Sequence, residues 1–415
     1  MDRRSFLTSG LGTLAAYTAL VRDGRAAGTS RVPKLKITKI RAVRMRGINS
    51  RFVRVYTDQG LTGTGETLDT VGAEDLINNN FGPALEGRDP LDIEGIYFNL
   101  LSYDRVRDGK ASVFLRGAGG GPFYSALAGI EIALWDLAGK ALDVPLYRLF
   151  GGRMRDKVAV YFHSNDPKTV GDMVRSTKVK AFKTSVDLIT QRGNDEKGLD
   201  PGKVSLWSLT NRQIDEITNY VGAMRQAVGP DIEVALECHT RYDVESAIQI
   251  AKAVEQFRPM WLEEAVPSDN PAVMAAVRRA TRIPIACGEN VYTRFGFRPF
   301  LEEQAVSLIQ PDMSKAGGLL EGKKIAAMAE VYHIPIAPHG VATTLGKTAF
   351  AHVCATVPNF LILEWGGGIF DKQFTGLTDA ADYRDGFVHL PDKPGIGIEV
   401  NEAAVKELLE PGYEL

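Results

Sequence analysis

The chain has 415 residues, with 49 lysines and arginines against 51 aspartates and glutamates for a net charge of −2. That length can bury a large core and suits about two domains, while the balanced charge excludes the basic field of a nucleic-acid-binding protein. The 3 cysteines (Cys238, Cys287, Cys354) are too few and scattered for a disulfide framework or a zinc site.

Residues 1–27 open with Arg3 and Arg4, then Ser-Phe-Leu, a mildly apolar stretch, and small residues ending at Ala26 and Ala27. The segment is similar to a twin-arginine signal. The expectation is a mature chain beginning near Ala27 or Gly28 and a periplasmic protein. The apolar stretch is too short and polar to span a membrane.

Residues 28–156 read as an α+β capping domain. From about Leu35 the strand patterns KITKIRAVRM and RFVRVYTD precede helical segments. From 157 to 365 short β-branched or apolar runs alternate with helical patterns. The runs are VAVYFHS (158–164), KVKAFKTSV (178–186), those ending at Glu237, Glu263 and Glu289, AVSLIQPD (305–312), VYHIPIAPHG (331–340) and NFLILEWGG (359–367). The segments DVESAIQIAKAVEQF (243–257) and LEGKKIAAMAEVY (320–332) carry helical periodicity. Eight strand–helix units predict a closed parallel (β/α)8 TIM-type barrel, in which catalytic residues gather at the carboxyl ends of strands.

Three of those ends carry acids at equal spacing. Glu237 (VALECH), Glu263 (MWLEEA) and Glu289 (IPIACGE) are each 26 residues from the next, about one βα unit. Side by side they would offer a hard divalent cation an all-oxygen site, with Mg²⁺ the natural candidate. Other strand ends add Lys183 and Ser185, which are two apart and so face one way, then Asp312, His339 and Glu364; His239 stands in the same relation to Glu237. The connection after Ser185 is nearly twice the usual length. Its polar part (187–208) has no helical period and suits either a lid or specificity element or a peripheral insertion; a helix follows over 210–228. Residues 366–415 form a tail with a glycine run at 366–368 and a strand-like stretch at 387–400.

These motifs together resemble the enolase superfamily, in its mandelate racemase/muconate lactonizing type, and within it the galactonate- and mannonate-type acid-sugar dehydratases. The resemblance runs from about Leu35 to the C-terminus. It is carried by YTDQGLTGTGE (56–66), the helix and loop at 125–152, WLEEA, ACGEN, QPDMSKAGG and APHG. It implies a C-terminal tail packed on the cap, a homo-oligomer, and one Mg²⁺ per subunit on Glu237, Glu263 and Glu289. Three positions depart from the family's pattern. Glu237 replaces the usual Asp, Lys183-Thr184-Ser185 replaces Lys-x-Lys, and WLEEA replaces WLEEP.

The chemistry the resemblance implies is abstraction of the C2 proton of an aldonate or aldarate, then loss of the 3-hydroxyl to give a 2-keto-3-deoxy acid. His339 is the candidate base with Asp312 behind it, and His239 the candidate acid or else a partner of the metal ligand. Lys183 supplies positive charge to the enediolate, and Glu364, if protonated, a hydrogen bond. His163 ends the first run and is a further candidate. Arg241 and Arg294 would meet a polyol or carboxylate, or be ion-paired structural arginines. Arg46 and Thr67 fall in cap loops that the family uses for substrate choice, whereas His333, His352 and His389 read as structural. The alternatives are a racemase, epimerase or cycloisomerase on the same scaffold, or a non-catalytic periplasmic sugar-acid binding protein.

Overall fold

The computed structural model describes residues 32–68, 71–101, 120–189, 207–366 and 374–415. The expected export signal, most of the 187–208 connection and Gly367–Gly368 lie outside them. No described helix is long and apolar enough to cross a membrane.

The cap is built on an antiparallel sheet of β1 (Ile37–Ala42), β2 (Ser50–Thr57) and β3 (Thr62–Leu68). A mostly buried helix, Gly121–Ala141, lies across it. Contact is close because β3 reads Gly63-Thr-Gly65. A Cβ on either glycine would stand 2.1 or 2.3 Å from the helix carbonyls of Ala133 and Gly129.

The barrel strands are β4 (Lys157–His163), β5 (Ala181–Ser185), β6 (Glu233–Glu237), β7 (Leu262–Glu263), β8 (Ile285–Cys287), β9 (Leu308–Ile309) and β10 (Leu363–Gly366). β4 to β9 pair in parallel and in sequence, and β10 pairs with β4. The gap between β9 and β10 is bridged by Ile336, which pairs with Ile309 on one side and Phe360 on the other. The ring is therefore closed, with eight members. The seventh is a single bridge rather than the expected strand at 331–340, for two reasons. Val331 and Tyr332 end the preceding helix, and Pro335 and Pro338 lack the N–H that a ladder needs.

Alternation along the strands explains how the interior is filled. Tyr161, Ala181, Ala235, Trp261, Ala286, Leu308, Ala337 and Ile362 form one apolar layer, with one residue from each ring member. Tyr161 and Trp261 meet edge to face at 5.5 Å and occupy the space that the four alanines leave. Two residues further along each strand the same inward face carries His163, Lys183, Glu237, Glu263, Gly288, Gln310, His339 and Glu364. The apolar layer is thus the floor of a polar site.

Helices cover the outside. Thr210 begins Asn211–Val228 with a capping box, its hydroxyl accepting from Gln213 N while Gln213 Oε1 accepts from Thr210 N. The tail returns past the barrel to the cap. β11 (Asp382–Arg384) pairs with β12 (Phe387–His389), and β12 pairs antiparallel with the start of β4. Met45 bridges Leu409. Arg46, in the turn between β1 and β2, donates to the Glu407 and Leu409 carbonyls and so ties this cap loop to the C-terminal helix. Thr67 lies in β3 and donates to the Ser314 carbonyl at 3.0 Å.

Two buried cap carboxylates sit on the amino ends of barrel helices. Glu131 accepts from Leu319 N at 2.7 Å and Leu320 N at 2.9 Å, at the start of the helix Leu319–Val331. Glu66 accepts from Thr343 N at 2.7 Å and Gly346 N at 3.0 Å, at the start of Thr344–Cys354. Each carboxylate satisfies helix N–H groups that would otherwise be orphaned and meets the positive end of the helix dipole.

His352, in that second helix, ties three segments together. Its Nε2 donates to the Ile396 carbonyl at 3.1 Å and its Nδ1 accepts from Tyr147 N at 3.3 Å, so both bonds need a neutral ring. Burial pushes its pKa down to about 4. An unfolded histidine titrates near 6.5, so between these values the unfolded chain holds more protons and stability falls as pH drops. By pH 5 this amounts to about 2 kcal/mol. Replacing His352 by Gln should shrink the drop in denaturation midpoint between pH 7 and pH 5. An undiminished drop would show that other groups govern it.

Candidate active site

Glu237 and Glu263 stand directly opposite each other in the β6–β7 register. The equal spacing predicts the same for Glu289, but the register partner of Glu263 is Ala286, three residues earlier. Glu289 arrives by a turn. Gly288 has φ 140°, a backbone that side chains rarely adopt, and a Cβ there would lie 2.7 Å from the Phe297 ring. The three acids still converge, with one oxygen from each within 4.8 Å of the others.

Their surroundings suit a cation. Glu263 Oε2 accepts from Trp261 Nε1 at 2.8 Å and Gln310 Nε2 at 2.6 Å, which fixes the carboxylate plane. Glu237 Oε2 is buried and lies 3.1 Å from the Lys183 ammonium, with the Glu263 carboxyl also against Glu237. Burial pushes Glu237 up to about 7 against the pull of Lys183, and burial together with the Glu237 charge pushes Glu263 well above the usual carboxylate range. Three buried or nearly buried acids whose oxygens converge within 4.8 Å, with an excess of negative charge, fit a hard divalent ion such as Mg²⁺.

Lys183 lies at the centre of this cluster. Its Nζ is 2.7 Å from Glu263, 3.1 Å from Glu237 and 3.2 Å from Glu364. Burial works against its charge, but Glu263 and Glu364 outweigh burial and hold its pKa well above the ordinary value. Burial likewise opposes ionisation of Glu364, yet Lys183 and His339 pull its pKa down to about 2. The ammonium beside it favours the ionised form of Glu364, whereas the hydrogen bond to the enediolate set out from the sequence requires the protonated form.

Two histidines sit on aspartates. His339 Nδ1 is 2.7 Å from Asp312 Oδ2, and its Nε2 is 3.1 Å from Glu289. Burial lowers its pKa, but Glu289, Glu364 and Asp312 raise it further, to a net value above the usual one. His239 Nδ1 is 2.9 Å from Asp187 Oδ1, and its backbone N–H donates to Glu237 Oε1 at 2.8 Å. Its pKa too is raised on balance: burial lowers it, and the bond to Asp187 more than compensates. His163 shares a 3.0 Å hydrogen bond with Ser185, and burial pushes its pKa down to about 4.

The arginines divide. Arg241 is half-exposed, with Nε 3.6 Å from Asp187 Oδ2. Arg294 is held by buried Glu321, which accepts from both its backbone N–H and its guanidinium, so it belongs to the ion-paired alternative. Three residues of the site were not singled out from sequence. Trp261 and Gln310 each lie two positions before a chosen acid, so strand alternation alone could have found them. Asp187 lies in a polar connection where nothing marks it.

Comparison with known proteins accounts for this arrangement. The "Enolase C-terminal domain-like" family model matches residues 170–404, and the "Mandelate racemase / muconate lactonizing enzyme, N-terminal domain" model matches 38–151. The chain belongs to the enolase superfamily, mandelate racemase/muconate lactonizing type. This enolase-superfamily chain is 37% identical to a D-xylonate dehydratase of Haloferax volcanii, covering 88% of this chain and 86% of that one. It is 32% identical to a D-galactonate dehydratase of Variovorax paradoxus, covering 89% and 94%. A mandelate racemase/muconate lactonizing enzyme-like structure from Rubrobacter xylanophilus superposes with TM-score 0.80 at 35% identity, over 92% of this chain and 99% of that one. An enolase-superfamily structure from Salmonella Typhimurium gives TM-score 0.80 at 30% identity, over 90% and 98%. The protein is a dehydratase, a hydro-lyase of this superfamily.

If the three acids hold the metal, Glu263→Gln should lose Mg²⁺ binding in isothermal titration while keeping its far-ultraviolet circular dichroism. Undiminished affinity in the folded variant would remove Glu263 from the site.

Proposed function

We propose that this dehydratase takes a sugar acid, removes the C2 proton, expels the 3-hydroxyl and releases a 2-keto-3-deoxy acid. The observation that carries the reading is the opposition of two aspartate-backed histidines. Counted from β4, His239 follows the third member of the ring and His339 the seventh, four places apart in a ring of eight. A substrate between them would have a base on one side and an acid on the other, as an anti elimination requires.

His339 Nε2 accepts the C2 proton, and the C–H electron pair moves into an enediolate. Asp312 holds the ring and stabilises the imidazolium that forms. The pair then forms the C2=C3 bond as C3–O breaks, and the departing oxygen takes a proton from His239 Nε2 and leaves as water. The resulting enol takes a proton at C3 as its 2-hydroxyl loses one, and becomes the ketone. Mg²⁺ on Glu237, Glu263 and Glu289 would act as a Lewis acid toward the substrate carboxylate and relieve the negative charge now drawn on His339. Lys183 contributes fixed positive charge beside that carboxylate, and Glu364 orients the ammonium.

Racemisation would need a base on each face of C2. Lys183 is committed to three carboxylates and Ser185 stands where a second lysine would be, so the lysine base of that alternative is missing. The acids named for the two relatives, D-xylonate and D-galactonate, share their configuration at C2 and C3 and differ beyond. A substrate with that C2–C3 arrangement is the one this site is proposed to accept.

Proton NMR of such an acid in D₂O with Mg²⁺ separates the two histidine roles. His339→Asn should lose both elimination and exchange of the C2 proton. His239→Asn should lose elimination by about 10²–10⁴-fold yet retain exchange. Exchange persisting in the first variant, or wild-type elimination in the second, would refute the corresponding role.

A further inference from the structure

We infer that Asp187 is the positioning residue of the proposed acid His239, as Asp312 is for His339. This rests on the elimination reading above and deepens it.

The pairing follows from strand register. Ser185 is the register partner of Glu237, and the β5–β6 ladder continues one step beyond with Val186 N donating to the Glu237 carbonyl at 2.9 Å. Asp187 and His239 are 52 residues apart, the same offset as Ser185 and Glu237. The Asp312–His339 pair behaves alike. Its separation of 27 is that of the register pair Ile309 and Ile336. On two opposite sides of the barrel, an aspartate just past one strand thus reaches a histidine just past the next.

The contact has work to do at His239 in particular. Its side chain is 43% exposed, against 7% for His339, so packing alone does not hold the ring. Its backbone is left-handed, at φ 46°, just past the end of β6. Asp187, 2% exposed, is the fixed partner. Bound at Nδ1, it keeps a proton on that nitrogen and turns Nε2 away from itself, the orientation a proton donor to the substrate needs. The second oxygen of Asp187, 3.6 Å from Arg241 Nε, braces the carboxylate from the side. Asp187 touches no reacting atom in this account; it acts through His239.

The test uses the full chain with Mg²⁺ and an accepted sugar acid in D₂O. Asp187→Asn should cut elimination about 10–100-fold, the range seen when the carboxylate behind a metal-bound imidazole is removed. C2 exchange and KM should stay near wild type. The double variant Asp187→Asn/His239→Asn should be no slower than His239→Asn alone, because the aspartate acts only through that ring. Elimination at the wild-type rate in Asp187→Asn, a parallel loss of exchange, or additive losses in the double variant would each overturn the assignment. Wild-type protein that neither exchanges nor eliminates on any sugar acid would instead overturn the elimination reading itself.

Discussion

Everything in the site depends on the register of a closed ring resting on one apolar layer. Because side chains alternate along a strand, a slip of one residue in any strand would send its functional group to the outer face. Tyr161 and Trp261 make such a slip costly. They are large and fully buried; Trp261 stands between Ala235 and Ala286, and Tyr161 between Ala181 and Ile362, at the same height on the neighbouring strands. The same layer that excludes water from the barrel thereby sets the level at which Lys183, Glu237, Glu263, His339 and Glu364 emerge.

The cap contributes by holding the helices that follow the catalytic strands. Glu131 fixes the helix after Asp312, and Glu66 fixes the helix after His339. Both carboxyl groups are buried and pushed above the usual range, Glu131 up to about 7, because burial outweighs the hydrogen bonds they accept. These contacts are costly positions for carboxylates, kept where they span cap and barrel. A cut between the two domains would therefore disturb the segments carrying Asp312 and His339 as well as the domain interface.

Much of this was legible in the sequence, and the exceptions have physical causes. The alternating pattern showed the barrel because β-branched runs and helical periods differ strongly. The three acids were legible because each closes an apolar run. Their equal spacing, however, was not a statement about register: β8 is short, and Gly288 turns the chain so that a residue three places too far reaches the same point. The seventh strand was over-read because Ile336 sits in an apolar stretch whose prolines break the ladder. Asp187 was missed because its partner is set by strand register across a long connection, and no local pattern encodes that.

The direct measurement is NMR identification of what the Mg²⁺-loaded protein makes from D-xylonate, D-galactonate and other acids with the same C2–C3 configuration, with and without a chelator. The account predicts a 2-keto-3-deoxy acid, formed only with the metal and carrying solvent hydrogen at C3. A C2 epimer as the product, or the same keto acid formed equally well after chelation, would contradict it.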